Sequence, residues 1–160
     1  MEWTDASDVI STRSSNVNEL PFAETVNYWK TTQKSPDTII ARARGYLEEI
    51  GGSVLREAFG REGSGRAAFM LEFELSGERY KVIWPVLPSK SGNDLAARRQ
   101  AATALKHDIK SRCMTLKFLG TRAAFFSYLM LSDGRTASMA SNMELQDGIP
   151  QMLLIGGGEE

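Results

Sequence analysis

The stretch Ala68-Phe69-Met70-Leu71-Glu72-Phe73-Glu74-Leu75 puts Phe69, Leu71, Phe73 and Leu75 on one side of an extended chain, and Ser76-Gly77 closes it before Glu78 to Val86. Alternation at period two followed by a glycine-containing turn predicts a β-hairpin. A turn with two central residues sets the register. Phe73 then faces Tyr80 and Leu71 faces Val82 on the core side, while Glu74 faces Arg79 and Glu72 faces Lys81 on the other. Pro85 and Pro88 end the last strand, because proline cannot donate to a sheet ladder.

Around this hairpin the pattern is α+β: a helix, a three-stranded antiparallel sheet, a long helix, then a short helix and an irregular C-terminal tail. Pro36-Asp37 opens the first helix, Ile39, Ala43, Leu47 and Ile50 recur at helical spacing, and Gly51-Gly52 stops it. A strand over Val54 to Phe59 and a flexible Gly60–Gly65 connection carrying Arg61 and Arg66 lead into the hairpin. The long helix runs from Asp94 to about Lys117, with Ala97, Ala101, Leu105, Ile109, Cys113 and Leu116 as its apolar stripe. Gly120 breaks it, and Thr121 is suited to cap a second helix holding Phe125, Phe126, Leu129 and Met130.

The chain has 160 residues, 42% of them hydrophobic, enough for one sizeable core. That core is expected over residues 36–136. Residues 1–35, rich in Ser, Thr and Asn, read as a polar arm whose aromatics Trp3, Phe22, Tyr28 and Trp29 are able to dock, and residues 137–160 as a tail with a short apolar segment, Met152 to Ile155. One cysteine and one histidine exclude an internal disulfide and any paired Cys/His zinc pattern, so no metal or other cofactor is expected. Without a secretory signal or a long apolar stretch, the chain reads as cytoplasmic, with no membrane partner.

The net charge of -1 hides an uneven distribution. Between Asp94 and Arg122, seven basic residues (Arg98, Arg99, Lys106, Lys110, Arg112, Lys117 and Arg122) stand against two acidic ones, a local +5 that leaves -6 for the rest. Arg99, Lys106, Lys110 and Lys117, spaced by seven, four and seven, fall on one helical stripe. Such a stripe can track a phosphate backbone, and it equally suits the solvated face of any amphipathic helix; the scarcity of interleaved Glu favours the first.

No catalytic constellation emerges. His107 and Asp108 are neighbours pointing about 100° apart on a helix and have no nucleophile motif beside them. Cys113 lies on the apolar stripe and is expected to pack. Glu72 and Glu74 share a face, but a metal-dependent nuclease needs further carboxylates. Arg79, Lys81 and Trp84 resemble a base-stacking platform, yet the register sets Glu72 and Glu74 against the cations and gives Trp84 the parity of Tyr80.

The order helix, three strands, helix resembles the double-stranded-RNA-binding domain, and Arg98-Arg99-Gln100-Ala101 resembles the basic start of that family's last helix, with Ala102 in place of its final Lys. The strand-strand-strand-helix order is also similar to the core of Rad52-type single-strand annealing proteins, where a sheet and a basic helix line a groove in a ring. Gly51-Gly52, Ile109-Lys110-Ser111-Arg112, Phe125-Phe126-Ser127-Tyr128 and Leu131-Ser132-Asp133-Gly134-Arg135-Thr136 resemble a family of small proteins of phages and mobile elements, with Ser132 where that family has Pro. The last resemblance implies a phage or mobile-element origin and leaves function open; with the basic stripe and the likeness to annealing proteins, the expected partner is nucleic acid, single-stranded in preference to double-stranded, bound by a non-enzymatic homo-oligomer in replication or recombination. A protein-interaction module docking on an acidic partner is the alternative.

Overall fold

The computed structural model describes residues 19–139. Trp3 and the Met152 to Ile155 segment lie outside the described residues. Helix α1 spans Pro36–Glu49: the Ser35 hydroxyl accepts from the Thr38 amide at 3.2 Å, and proline occupies the first turn, where a missing N–H costs nothing. Ile39, Ile40, Ala43 and Leu47 are buried. The helix ends through Gly51 at φ +90°, and the Gly52 amide donates to the Leu47 carbonyl at 2.8 Å. A Cβ on Gly52 would stand 2.8 Å from that carbonyl oxygen, so the close approach requires glycine.

Strands β1 (Ser53–Arg61), β2 (Ala67–Leu75) and β3 (Glu78–Pro85) form an antiparallel sheet in the order β1-β2-β3. The hairpin register is Phe73 opposite Tyr80, Leu71 opposite Val82, Glu72 opposite Lys81 and Glu74 opposite Arg79. Positive φ at Ser76 (53°) and Gly77 (79°) gives the turn the twist that suits a two-residue hairpin. Glu74 is exposed, but Glu72 is only 8% exposed although it lies on the outer face, with Arg56 at 3.8 Å.

β1 is longer than the Val54 to Phe59 strand the sequence suggests, because Gly60 and Arg61 pair with Ala68 and Ala67. A bulge between Val54 and Arg56 turns Leu55 outward. The Gly-rich connection after it is an organised loop: the Glu62 carboxylate accepts from the amides of Ser64 (2.8 Å) and Arg66 (3.2 Å) and from the Ser64 hydroxyl.

Helix α2 spans Asp94–Leu119, capped by the Asn93 side chain, which accepts from the Ala96 amide at 3.1 Å. Its buried stripe of Ala101, Leu105, Ile109 and Cys113 joins α1 and the Phe69–Leu75 face of the sheet in one core. Burial also pushes the Cys113 thiol above its ordinary range, with Glu49 adding to the rise, as fits a packing role. At the centre of that core Phe73 stacks on Tyr80 (5.5 Å between centroids), and Phe125 meets both rings edge-on at 5.6 and 5.9 Å.

The segment after Gly120 departs from the sequence-based expectation. Helix α3 is short, Thr121–Phe125, and a 3-10 turn follows at Phe126–Tyr128. Leu129 then bridges to Tyr80 and Met130 to Thr136 instead of continuing a helix. The free edge of β3 is the physical reason: the Met130 amide donates to the Arg79 carbonyl at 2.9 Å, satisfying edge groups that a helix would leave bare. Nor does Thr121 cap α3. Its hydroxyl pairs with that of Ser76 at 2.9 Å.

Residues 19–35 are laid against the domain. Ala23 is buried and its amide donates to the Pro88 carbonyl at 2.8 Å. The buried Gln100 amide donates to the carbonyls of Ala23 (2.7 Å), Val26 and Asn27 (both 3.0 Å). The Glu24 carboxylate accepts from the Ser91 hydroxyl (2.6 Å) and from the amides of Lys90 and Ser91.

Two outcomes follow from this packing. Replacing Phe73 by Ala removes the stacked centre of the core and is expected to lower the unfolding free energy by about 3 to 5 kcal/mol in chemical denaturation. The Ser91 hydroxyl, with the neighbouring amides, holds the Glu24 carboxyl well below its ordinary 4.5. A depressed folded-state pKa stabilises above that ordinary value and loses its effect as pH falls through the folded-state value. Proteolytic cleavage within residues 19–34 is therefore expected to rise on acidification below pH 4.5, and Glu24→Gln is expected to show the raised cleavage at neutral pH.

Candidate functional site

The long helix sorts its cations by what lies beside them. Arg98 faces the sheet, its guanidinium 4.2 Å above the Phe59 ring. Arg112 turns inward: it donates to Asp108 at 2.8 Å and to the Ala124 carbonyl at 3.0 Å, and lies 4.2 Å over the Tyr128 ring. Burial disfavours the charge on Arg112, but Asp108 more than offsets this and raises its pKa. The Tyr128 hydroxyl donates to the same carboxylate oxygen, and burial together with Asp108 pushes that phenol up. Arg122, on α3, pairs with Glu78 at 3.1 Å. These three arginines of the seven serve packing or ion pairing.

Arg99, Lys106, Lys110 and Lys117 share the remaining face. Lys110 and Lys117 are exposed, and the Lys110 ammonium lies 5.8 Å from the Tyr46 ring of α1. The Arg99 Nε donates to the Lys34 carbonyl at 3.1 Å, which ties the segment before α1 onto the stripe. Lys106 borders a recess of about 360 Å³ between that segment, α1 and α2, and Lys34, Arg42, His107, Tyr28 and Thr32 also line it. None of its lining residues is acidic. Among the described residues, ion pairs engage Arg44, Arg56, Arg112, Arg122 and Arg135 and leave the cations of the recess without a carboxylate partner.

Local sequence explains the shape. Ser35-Pro36 starts α1 abruptly and leaves Lys34 just outside its first turn. Arg42 follows the buried Ile39 by three residues and precedes Tyr46 by four, the polar edge of the buried stripe. Tyr28 and Lys30 adopt φ +73° and +54°, a left-handed conformation that costs a bulky residue energy and that the packed surroundings must hold. The Tyr28 ring stacks on His107, centroids 4.8 Å apart and planes within 14°. Partial burial, then the charges of Lys106 and Lys110, lower the imidazole pKa. The Thr32 hydroxyl accepts from the Lys34 amide at 3.1 Å, and its own hydrogen faces no acceptor in that bond.

Lys34 and Arg42 belong to no pattern in the sequence that marks them as site residues, and Tyr28 and His107 stand out there only as a docking aromatic and as a neighbour of Asp108. His107 and Asp108 are engaged separately, one by Tyr28 and the other by Arg112 and Tyr128. Among the described residues no three metal-ligating side chains converge, and no helix is long and apolar enough to cross a membrane. No family model, no curated protein and no solved structure matches the chain.

Arg112→Ala is expected to lower stability by about 2 kcal/mol, the scale of charged hydrogen bonds lost from a half-buried site. Any affinity for an anionic ligand should stay unchanged, with thermal melting and ligand titration as the two measurements.

Proposed function

We propose that the protein binds single-stranded nucleic acid through the face shared by α1, α2 and residues 28–34, without catalysing a reaction on it. The observation that carries this reading is local: Lys34, Arg42 and Lys106 line one recess that holds no acidic side chain, Arg99 and Lys110 continue the helical stripe of Lys106, and among the described residues none of the five has a carboxylate partner. Unneutralised cations repel one another and are held together at a cost that an incoming polyanion offsets. Phosphates neutralised there would release counterions and make the affinity salt-dependent. The Tyr28–His107 stack beside the cations favours a single strand, whose unpaired bases have free faces for aromatic stacking.

A second reading has its own observation. Met114, Phe118 and Leu119, near the end of α2, are 59%, 79% and 69% exposed, as at a surface that meets another protein. That surface suits a second copy of the chain, in keeping with an oligomeric binder like the annealing proteins whose order of elements it resembles. It equally suits a partner of an interaction module with no nucleic-acid affinity.

Binding of labelled oligonucleotides across a salt series separates the two. The Lys106→Ala, Lys110→Ala double variant is expected to flatten the log–log salt slope by about 1.4, two single-strand phosphate contacts' worth. Its melting temperature should barely move, since Lys110 is exposed, Lys106 is only partly buried, and neither has a carboxylate partner among the described residues. Parental affinity and slope in the double variant would reduce the stripe to a solvated face, and absence of binding by the parent would favour the interaction module.

A further inference from the structure

We propose that the recess walled by Lys34, Arg42, Lys106 and His107 receives a terminal phosphomonoester of the bound strand, so that the protein distinguishes a phosphorylated strand end from a hydroxyl end. This rests on the nucleic-acid reading above and adds to it a specificity that a backbone-tracking face does not require.

Charge supports it first. Lys34, Arg42 and Lys106 place three formal positive charges around one recess whose lining holds no carboxylate. An internal phosphodiester brings one negative charge, whereas a phosphomonoester brings about 1.5 to 2 and three strong acceptor oxygens. The donors match that demand. Arg42 offers a planar fork of N–H groups, the two ammonium groups offer rotatable N–H bonds, and Thr32 has a hydroxyl hydrogen left after accepting from the Lys34 amide at 3.1 Å.

Shape supports it second. The hydrogen bond from Arg99 to the Lys34 carbonyl, 3.1 Å long, lies where this recess adjoins a smaller hollow lined by Lys30, Gln33, Asn93 and Arg99. A strand laid along Lys117 and Lys110 toward Lys106 meets that bridge, which suits a chain end better than a continuing backbone. A volume of about 360 Å³ is at the small end of the range for ligand clefts, enough for a phosphoryl group with its attached sugar and too little for a folded nucleic acid. The left-handed backbone at Tyr28 and Lys30 holds one wall of the recess in a conformation these residues do not choose for themselves.

The histidine supplies a reporter. Tyr28 stacks on His107, Lys34, Arg42 and Lys106 line the same recess, and partial burial with the charges of Lys106 and Lys110 disfavours the imidazolium. A dianion among them would favour the charged ring, so His107 is expected to titrate at higher pH in the complex than in the free protein.

The test uses internally labelled strands of one sequence carrying a 5′-phosphate, a 3′-phosphate or hydroxyls at both ends, with the full chain and its Arg42→Gln variant. Arg42 is exposed, so this variant is expected to fold normally. One phosphorylated form should bind at least about tenfold tighter than the hydroxyl-ended strand, equivalent to about 1.4 kcal/mol. Arg42→Gln should erase most of that advantage, and the His107 ring resonances should titrate higher only with the preferred end. Equal affinity for all three strands, or an advantage that survives Arg42→Gln, overturns the proposal and leaves nucleic-acid binding standing. A nucleoside monophosphate that binds as tightly as the phosphorylated strand also overturns it, assigning the recess to a free nucleotide. Failure of every strand to bind removes the nucleic-acid reading as well.

Discussion

The stacking of Phe73 on Tyr80, with Phe125 edge-on to both, is the constraint on which the remaining structure depends. It requires the β2–β3 register, because a slip of one residue would carry Phe73 to the outer face and remove its ring from the core. It also requires the chain to return after α2 so that Phe125 reaches the sheet. Gly120, at φ +91°, makes that reversal, and the Ser76–Thr121 hydroxyl pair ties the hairpin turn to the start of α3. Leu129 can then pair with Tyr80 along the edge of β3.

Much of this frame is legible in the residue order, for identifiable reasons. Alternation over Ala68 to Leu75 and a Ser-Gly turn are local signals, and they specify the hairpin register down to individual pairs. The apolar stripe of α2 is local too. The pairing of Leu129 with Tyr80 is not, since it arises from an unfilled strand edge that exists only once the sheet has formed; helical spacing of Phe125, Phe126, Leu129 and Met130 therefore suggests a longer helix than the five residues of Thr121–Phe125. The same limitation applies to the candidate site. Arg99, Lys106, Lys110 and Lys117 are recognisable from helical spacing, but Lys34 and Arg42 come from other segments, and no pattern within residues 28–42 announces that they converge on Lys106.

Counting charge along the sequence also mixes two populations. Arg112 and Arg122 contribute to the local +5 as much as Lys106 and Lys110 do. In the fold the two arginines are held by Asp108 and Glu78, while among the described residues the two lysines have no carboxylate partner. A local excess of cations thus overstates the surface available to an anion. The unpaired subset is smaller, and its position beside Tyr28 and His107 gives it chemical character that net charge does not describe.

Gln100 and Glu24 hold residues 19–35 by polar bonds, with Ala23 the one buried apolar side chain among them. The wall carrying Tyr28, Thr32 and Lys34 is therefore held mainly by polar contacts outside the aromatic core. If the docked form makes up a fraction of the population, a ligand that needs that wall sees its dissociation constant divided by the same fraction. Residues outside the lining of the recess, Ser91 and Gln100 among them, would then set its affinity through how often it is complete, and substitutions there would tune binding while leaving the lining in place.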